Sequence, residues 1–332
     1  MAIGRLDIFD SYAEDALKKF GMEQTCTAKM LQVSENITYM VKNKVTGANE
    51  AVMRISRPGY HTLEELNAEI KWLREIKKYT PLIVASPIKG KNGFYVQLIH
   101  SWMADQTFAC VLYEFLEGHA PDESDEQNVI RQFADLGEAT AWLHRQSRMW
   151  NDAKYLERWT MDYDTMIGAH PMWGRWQEAE DLTKDGLDTL TKASTVIQSR
   201  LERFGKARHD FGLIHADLRL ANLLVEGDRI KVIDFDDCGF GWYLHDLAGA
   251  VSFIEDKPIT PELIHSWLDG YRRVEPFSKQ EYDEIDTFVM QRRLQLLAWI
   301  TSHSDSDPVK ELSIGFTDGT LALAERYLKK FA

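Results

Sequence analysis

The spacing of apolar residues changes period near residue 115, and that change constrains the fold more than any other feature of the chain. Before it, the runs TCTAKMLQV, ITYMVKNK and EAVMRIS are short, hold β-branched or aromatic residues and are separated by turn signals such as VTGANE. That is the pattern of strands. HTLEELNAEIKWLREIKKY interrupts them, with Leu63, Leu66, Ile70, Leu73 and Ile76 at helical spacing and with Thr62 and Glu65 placed for a capping box. FYVQLIHSW and TFACVLYEF then return to strand. From EGHAPDESDEQ onward the chain reads as helix. NVIRQFADLGEATAWLHRQ carries the stripe Val129, Ile130, Phe133, Leu136, Thr140 and Leu143, with Ser124 and Gln127 as its cap. EDLTKDGLDTLTKASTVIQSRLERF and QEYDEIDTFVMQRRLQLLAWI read as further amphipathic helices. The expected fold is therefore α+β in two lobes. Residues 1–115 form an antiparallel sheet with one helix and residues 116–332 form a mainly helical lobe, the boundary falling between Glu114 and Gly118. A short connection there would leave a cleft, where ligands tend to bind.

Composition narrows the function classes. The 332 residues are 44% hydrophobic and 27% charged, enough for a sizeable core. No long uncharged apolar run is present, so no transmembrane helix is expected. The start, MAIGRLDIFDSYAEDALKKF, is acidic where a signal peptide needs a basic end and an apolar centre. Cys26, Cys110 and Cys238 lie too far apart for a disulfide framework or a zinc site, which points to a reducing cytoplasm. The net charge of −13 argues against nucleic acid as the main partner and is accounted for by solubility.

LIHADLRLANLLVEGDRIKVIDFDDCGFG, from Leu213 to Gly241, collects polar residues between apolar runs. FGLIH reads as a buried strand; LLV and IKVIDF, joined by EGDR, read as a hairpin over Leu223 to Phe235. Asp217 and Asn222 then sit on the loop before the hairpin, and the hairpin folds Asp234 back beside them. Carboxylate and amide oxygens without His or Cys suit a hard cation such as Mg2+. Phosphoryl transfer needs such an ion to spread negative charge, and a separate carboxylate near the attacking hydroxyl. His215, Asp217, Asn222 and Asp234 have the spacing for that division of labour.

HADLRLANLL…VIDFDDCG resembles the motif of the aminoglycoside phosphotransferase and choline kinase family, whose fold is similar to that of protein kinases. VMRISRPGYHTLEELNAEIKWL is similar to the branch that contains type II homoserine kinases and a bacterial stress-response Ser/Thr kinase. The resemblance implies ATP and Mg2+ as cofactors, Asp217 as catalytic base, His215 as a brace of its loop, and Asn222 and Asp234 as metal ligands. It implies Asp246 of HDLAGAV as a structural brace. Arg54 occupies the slot where many kinases place a phosphate-pairing Lys, with Glu69 as its partner, and an Arg offers a fork rather than a point charge. VSENITYMVKN resembles the phosphate-covering hairpin but lacks its glycines; Ser34, Asn36 and Thr38 would supply donors instead. The linker at Tyr113, Glu114 and Phe115 would offer backbone groups to the base.

The expected activity is transfer of the ATP γ-phosphate to a hydroxyl of a small metabolite, an amino alcohol or an amino acid such as homoserine. A protein Ser/Thr kinase and a non-catalytic pseudokinase stay open, as does the oligomeric state. An HD-type phosphohydrolase built on His245 and Asp246 would need a His-rich ligand shell. Asp236 and Asp237 fit either a second metal or a turn cap. WTMDYDTMIGAHPMWGRWQEAED, with Trp159, Trp173 and Trp176, fits either an acceptor pocket or packing, as do Trp242 and Tyr243. Cys238 reads as a small buried filler.

Overall fold

The structure is a computed structural model describing residues 6–33, 36–101, 105–227, 229–304 and 307–332. It begins with α1 (Leu6–Phe20), β1 (Cys26–Val33), β2 (Asn36–Asn43), β3 (Asn49–Ser56) and α2 (Leu63–Tyr79). Four strands follow: β4 (Ile83–Val84), β5 (Pro87–Ile88), β6 (Gln97–Ser101) and β7 (Gln106–Glu114). Next come α3 (Glu126–Met149), β8 (Thr160–Met161), α4 (Tyr163–Met166), α5 (Lys184–Phe204) and β9 (Phe211–Ile214). β10 (Leu223–Glu226), β11 (Arg229–Val232) and β12 (Gly239–Trp242) precede α6 (Leu244–Ala250), α7 (Thr260–Tyr271), α8 (Lys279–Ser302), α9 (Asp307–Ser313) and α10 (Phe316–Phe331). The class is α+β, with an antiparallel amino-terminal sheet and a mostly helical remainder.

Two compact units divide the chain. One gathers the residues up to His119 with Lys154–Arg158 and Leu224–Ile233. Its sheet runs β1-β2-β3-β7-β5, with β6 also on β7. Side chains alternate between faces along a strand. Tyr39, Val41, Ala51, Met53, Ile55, Cys110 and Leu112 therefore share one buried face, where Tyr12, Ala13, Ala16, Leu17 and Phe20 of α1 join the same core. This helix is the element that a sheet with one helix left out. Its apolar residues follow the helical period, but they cover a sheet that local pattern does not announce. The other face carries Arg54 toward α2, whose capping box forms as expected: Thr62 Oγ1 accepts from Glu65 N at 3.1 Å and Glu65 Oε2 from Thr62 N at 2.8 Å. The segment 223–232 forms two strands in the order β10-β11-β4, with β11 parallel to β4.

The second unit holds Ala120–Ala153, Trp159–Leu223 and Asp234–Ala332. α3 packs along α7, and a small sheet pairs β12 antiparallel with β9 and parallel with β8. The cap of α3 is Asp125 rather than Ser124: Asp125 Oδ1 accepts from Gln127 N at 3.1 Å, while Ser124 donates to Asp122 Oδ1 at 2.7 Å. A carboxylate one residue nearer the helix reaches its orphan amide better than the hydroxyl does. α8 is not amphipathic in the usual sense, since Gln291, Arg292, Arg293 and Gln295 are all buried. No described helix is long and apolar enough to cross a membrane.

Candidate active site

The loop after β9 is held from beneath. His215 N and Ala216 N donate to Asp246 Oδ2 and Oδ1 at 3.1 and 2.7 Å, and Ala216 sits at φ 72°, a strained value for a residue with a Cβ. Two backbone bonds to one fully buried carboxylate hold that conformation. Burial by itself would push the Asp246 carboxyl up, yet His144 above all, with His215 and His245, keeps it below the usual carboxylate range. Both Asp246 oxygens are thus engaged in bracing, and among the described residues no cluster of three His, Cys, Asp or Glu forms a metal-holding group. The HD-type alternative has no shell to stand on. His215 is fully buried, its ring centroid 4.6 Å from that of Phe235.

Asp217 lies on this loop, three residues before a short helical turn over Leu220–Asn222. Asn222 Nδ2 donates to Asp217 O at 2.7 Å and to Asp217 Oδ2 at 2.9 Å. With both amide hydrogens directed at Asp217, Asn222 Oδ1 meets no donor among the described residues. An amide oxygen together with the Asp234 carboxylate is the hard donor set that Mg2+ takes, so these residues fit the ion that the motif implies. Asp234 follows β11 at φ 62°, a left-handed value that Asp tolerates better than most residues. Asp236 and Cys238 are buried.

Sequence reasoning missed Arg292. Its Nη2 lies 2.7 Å from Asp217 Oδ1, and Arg219 Nε lies 3.3 Å from Oδ2. The signal was present as two arginines inside the apolar run MQRRLQLLAW, because a charge in a buried helix needs a partner.

In the first unit, Arg54 pairs with Glu69 through Nη2 and Oε2, both side chains buried. Tyr113 donates its hydroxyl to Glu69 Oε1 at 2.9 Å and presents its ring 5.4 Å below the Arg54 guanidinium. The Tyr113 side chain thus secures the Arg54–Glu69 pair, a role separate from the backbone groups expected of the linker. Glu114 N and Phe115 N donate to Ser86 O at 2.8 Å and Glu50 O at 3.3 Å, so both amides are engaged within the unit. Asn36 is buried, Thr38 lies opposite Arg54 across β2 and β3, and Ser34 lies outside the described residues.

The aromatic segment divides its labour. Trp176 is buried and donates to Ile167 O at 3.2 Å, which is packing. Trp159 Nε1 reaches Asp237 O at 3.2 Å and Cys238 O at 3.3 Å, tying the segment to the turn after Asp234. Trp173 lies under the Arg292 guanidinium at 5.4 Å. Trp242 and Tyr243 are buried, donating or sharing hydrogen bonds with Gly205 O at 2.6 Å and Ser147 Oγ at 3.2 Å.

Comparison with known proteins follows the same outline. Residues 32–285 match the model of the phosphotransferase enzyme family. The amicoumacin kinase of Bacillus subtilis (strain 168) is 22% identical over 232 residues, which cover 66% of this chain and 64% of that relative, just under two thirds of its length. The structure of the microcompartment-associated aminopropanol kinase is similar at TM-score 0.87 and 36% identity, over 96% of this chain and 98% of that one. An amicoumacin kinase in complex with AMP-PNP and Ca2+ shares the fold at TM-score 0.74 and 19% identity, over 96% of each chain. The match spans most of the residues, including the Asp217 loop and the Arg54–Glu69 pair, and the chain belongs to the phosphotransferase enzyme family.

Proposed function

We propose that this protein is an ATP- and Mg2+-dependent phosphotransferase that moves the γ-phosphate to a hydroxyl of a small amino alcohol. The observation that carries the reading is Asn222 fastening Asp217 by 2.7 and 2.9 Å bonds while its own Oδ1 stays available to a hard cation. Asp217 accepts the hydroxyl proton. Asn222 and Asp234 hold the metal, and Arg54, fixed by Glu69 and Tyr113, steadies the nucleotide phosphates. Bound Mg2+ supplies neutralisation of the charge that develops on the phosphates. Positioning and electrostatic stabilisation account for most of the rate. The 36% identity to an aminopropanol kinase over nearly the whole chain supports an amino alcohol over the homoserine considered beside it.

The test is ADP release with Mg-ATP across 1-amino-2-propanol, ethanolamine, homoserine, choline, sugars and aminoglycosides, with Asp217→Asn as the blank. An amino alcohol whose signal vanishes in the blank supports the reading. A sugar or homoserine as sole acceptor overturns the acceptor class, and phosphate appearing on protein with no small acceptor overturns the small-molecule reading.

A further inference from the structure

The Asp217 carboxylate is held at both oxygens before any acceptor arrives. Oδ2 accepts from Asn222 at 2.9 Å and Arg219 at 3.3 Å, whereas among the described residues Oδ1 accepts only from Arg292 at 2.7 Å. Each carboxylate oxygen has two lone-pair directions, so Oδ2 is filled and Oδ1 retains one. A proton coming off an acceptor hydroxyl therefore goes to Oδ1, the oxygen that Arg292 holds.

Arg292 is itself immobilised. Nε donates to Ser252 Oγ at 3.0 Å, Nη1 donates to Gln295 Oε1 at 3.2 Å, and Trp173 presents its ring at 5.4 Å. The side chain is 2% exposed, which leaves it no surface with which to meet a substrate. It sits 75 residues from Asp217 in sequence, on a 24-residue helix. A planar fork gripped on three sides fixes a direction as well as a charge.

We propose that Arg292 is the positioning residue of the transfer step, aiming the remaining lone pair of Asp217 Oδ1 at the acceptor hydroxyl; this rests on Asp217 being the base. In that step the acceptor oxygen bonds to the γ-phosphorus as its proton passes to Oδ1. The bond from the γ-phosphorus to the bridging oxygen breaks, and its electron pair leaves on ADP. Ser252 and Trp173 act behind Arg292.

The experiment uses the full chain with Mg-ATP and the best acceptor of the panel above, or water as acceptor where no compound exceeds it. Arg292→Gln lowers kcat about 100-fold, the effect of a misaimed group, with KM for the acceptor and Kd for Mg-ATP held within about threefold. Arg292→Lys recovers only part of the loss, and Ser252→Ala falls between wild type and Arg292→Gln. Millimolar guanidinium restores Arg292→Ala by about tenfold, a response that a purely structural residue would not give. Unchanged kcat in Arg292→Gln overturns the proposal. So does a rise in acceptor KM at constant kcat, which would make Arg292 a substrate ligand, or a matching loss of Mg-ATP affinity. Where Arg292→Gln fails to fold, Arg292→Lys and Ser252→Ala decide, and wild-type kcat in both overturns it. Wild-type turnover in Asp217→Asn would instead remove the base assignment, whatever the Arg292 series shows.

Discussion

His144 Nε2 lies 3.0 Å from Asp246 Oδ2, both side chains fully buried, and this contact joins α3 to the brace under the Asp217 loop. Behind it, Tyr271 OH lies 3.0 Å from His144 Nδ1 and accepts from Arg148 Nη2 at 2.8 Å. The chain of bonds is satisfied by a neutral imidazole that donates from Nε2 and accepts at Nδ1, a tautomer assigned from its partners. Burial pulls the His144 pKa below its ordinary value, against the pull of Asp246.

Acid should therefore loosen the fold. Burial and then the nearby Arg292 bring His245 from 6.5 down to about 4. Between those values the unfolded chain binds protons that the folded chain refuses, so stability falls as pH drops through that window. His245 alone contributes on the order of 3 kcal/mol across it. His144 acts in the same direction, and the Asp246 contribution is lost below its unfolded value of 3.8. Urea midpoints at pH 7.5 and 5.0 would measure the slope, and His245→Asn should flatten it. An equally steep slope in that variant would place the sensitivity elsewhere.

Asp217 balances a buried charge as well as carrying the proposed chemistry. Its side chain is 20% exposed against 2% for Arg292. Asp217→Ala leaves that guanidinium unpaired and should cost about 3–5 kcal/mol. Asp217→Asn, which keeps an oxygen acceptor, should cost less while cutting turnover about 100- to 10,000-fold. Equal urea stability of wild type and Asp217→Ala would show that water relieves the arginine.

Glu69 accepts from Tyr113 at 2.9 Å in a site that is 1% exposed. Tyr113→Phe removes that donor and should cost about 1–2 kcal/mol. Arg54→Lys keeps the charge but loses the fork, and Mg-ATP affinity should weaken about tenfold by calorimetry. Undiminished affinity would mean that the fork geometry goes unused.

Asn222 and Asp234 should separate in a Mg2+ titration. Asp234→Ala removes a carboxylate and should raise the Mg2+ concentration needed for half-maximal nucleotide binding by at least about tenfold. Asn222→Ala should also lower kcat at saturating Mg2+, because it releases Asp217 Oδ2. Identical behaviour of the two variants would count against distinct roles.

α3 and α7 touch backbone to backbone. A Cβ built on Gly270 would come 1.7 Å from Ala134 O, and one on Gly137 would come 2.0 Å from Trp267 O. Gly270→Ala should therefore cost about 3 kcal/mol or more, since helix backbones must part to admit a methyl. A thermal melt checks it: a Tm within a degree or two of wild type would mean that α7 slides freely.

Local features of this protein could be read along the chain because their cause lies within a few residues. Thr62 and Glu65 satisfy each other across one turn, so the start of α2 is written in four letters. Strand alternation places Arg54 opposite the face of Met53 and Ile55, and the five-residue interval from Asp217 to Asn222 sets up their hydrogen bond. Tertiary structure decided what spans long intervals. The seat of α1 against the sheet, the turn of Tyr113 toward Glu69, the 102-residue reach from His144 to Asp246 and the 75-residue reach from Arg292 to Asp217 leave no period behind. Periodicity records which face of an element is buried; a buried charge or polar group finds its partner only when distant elements pack, because desolvation then makes an unpaired group costly.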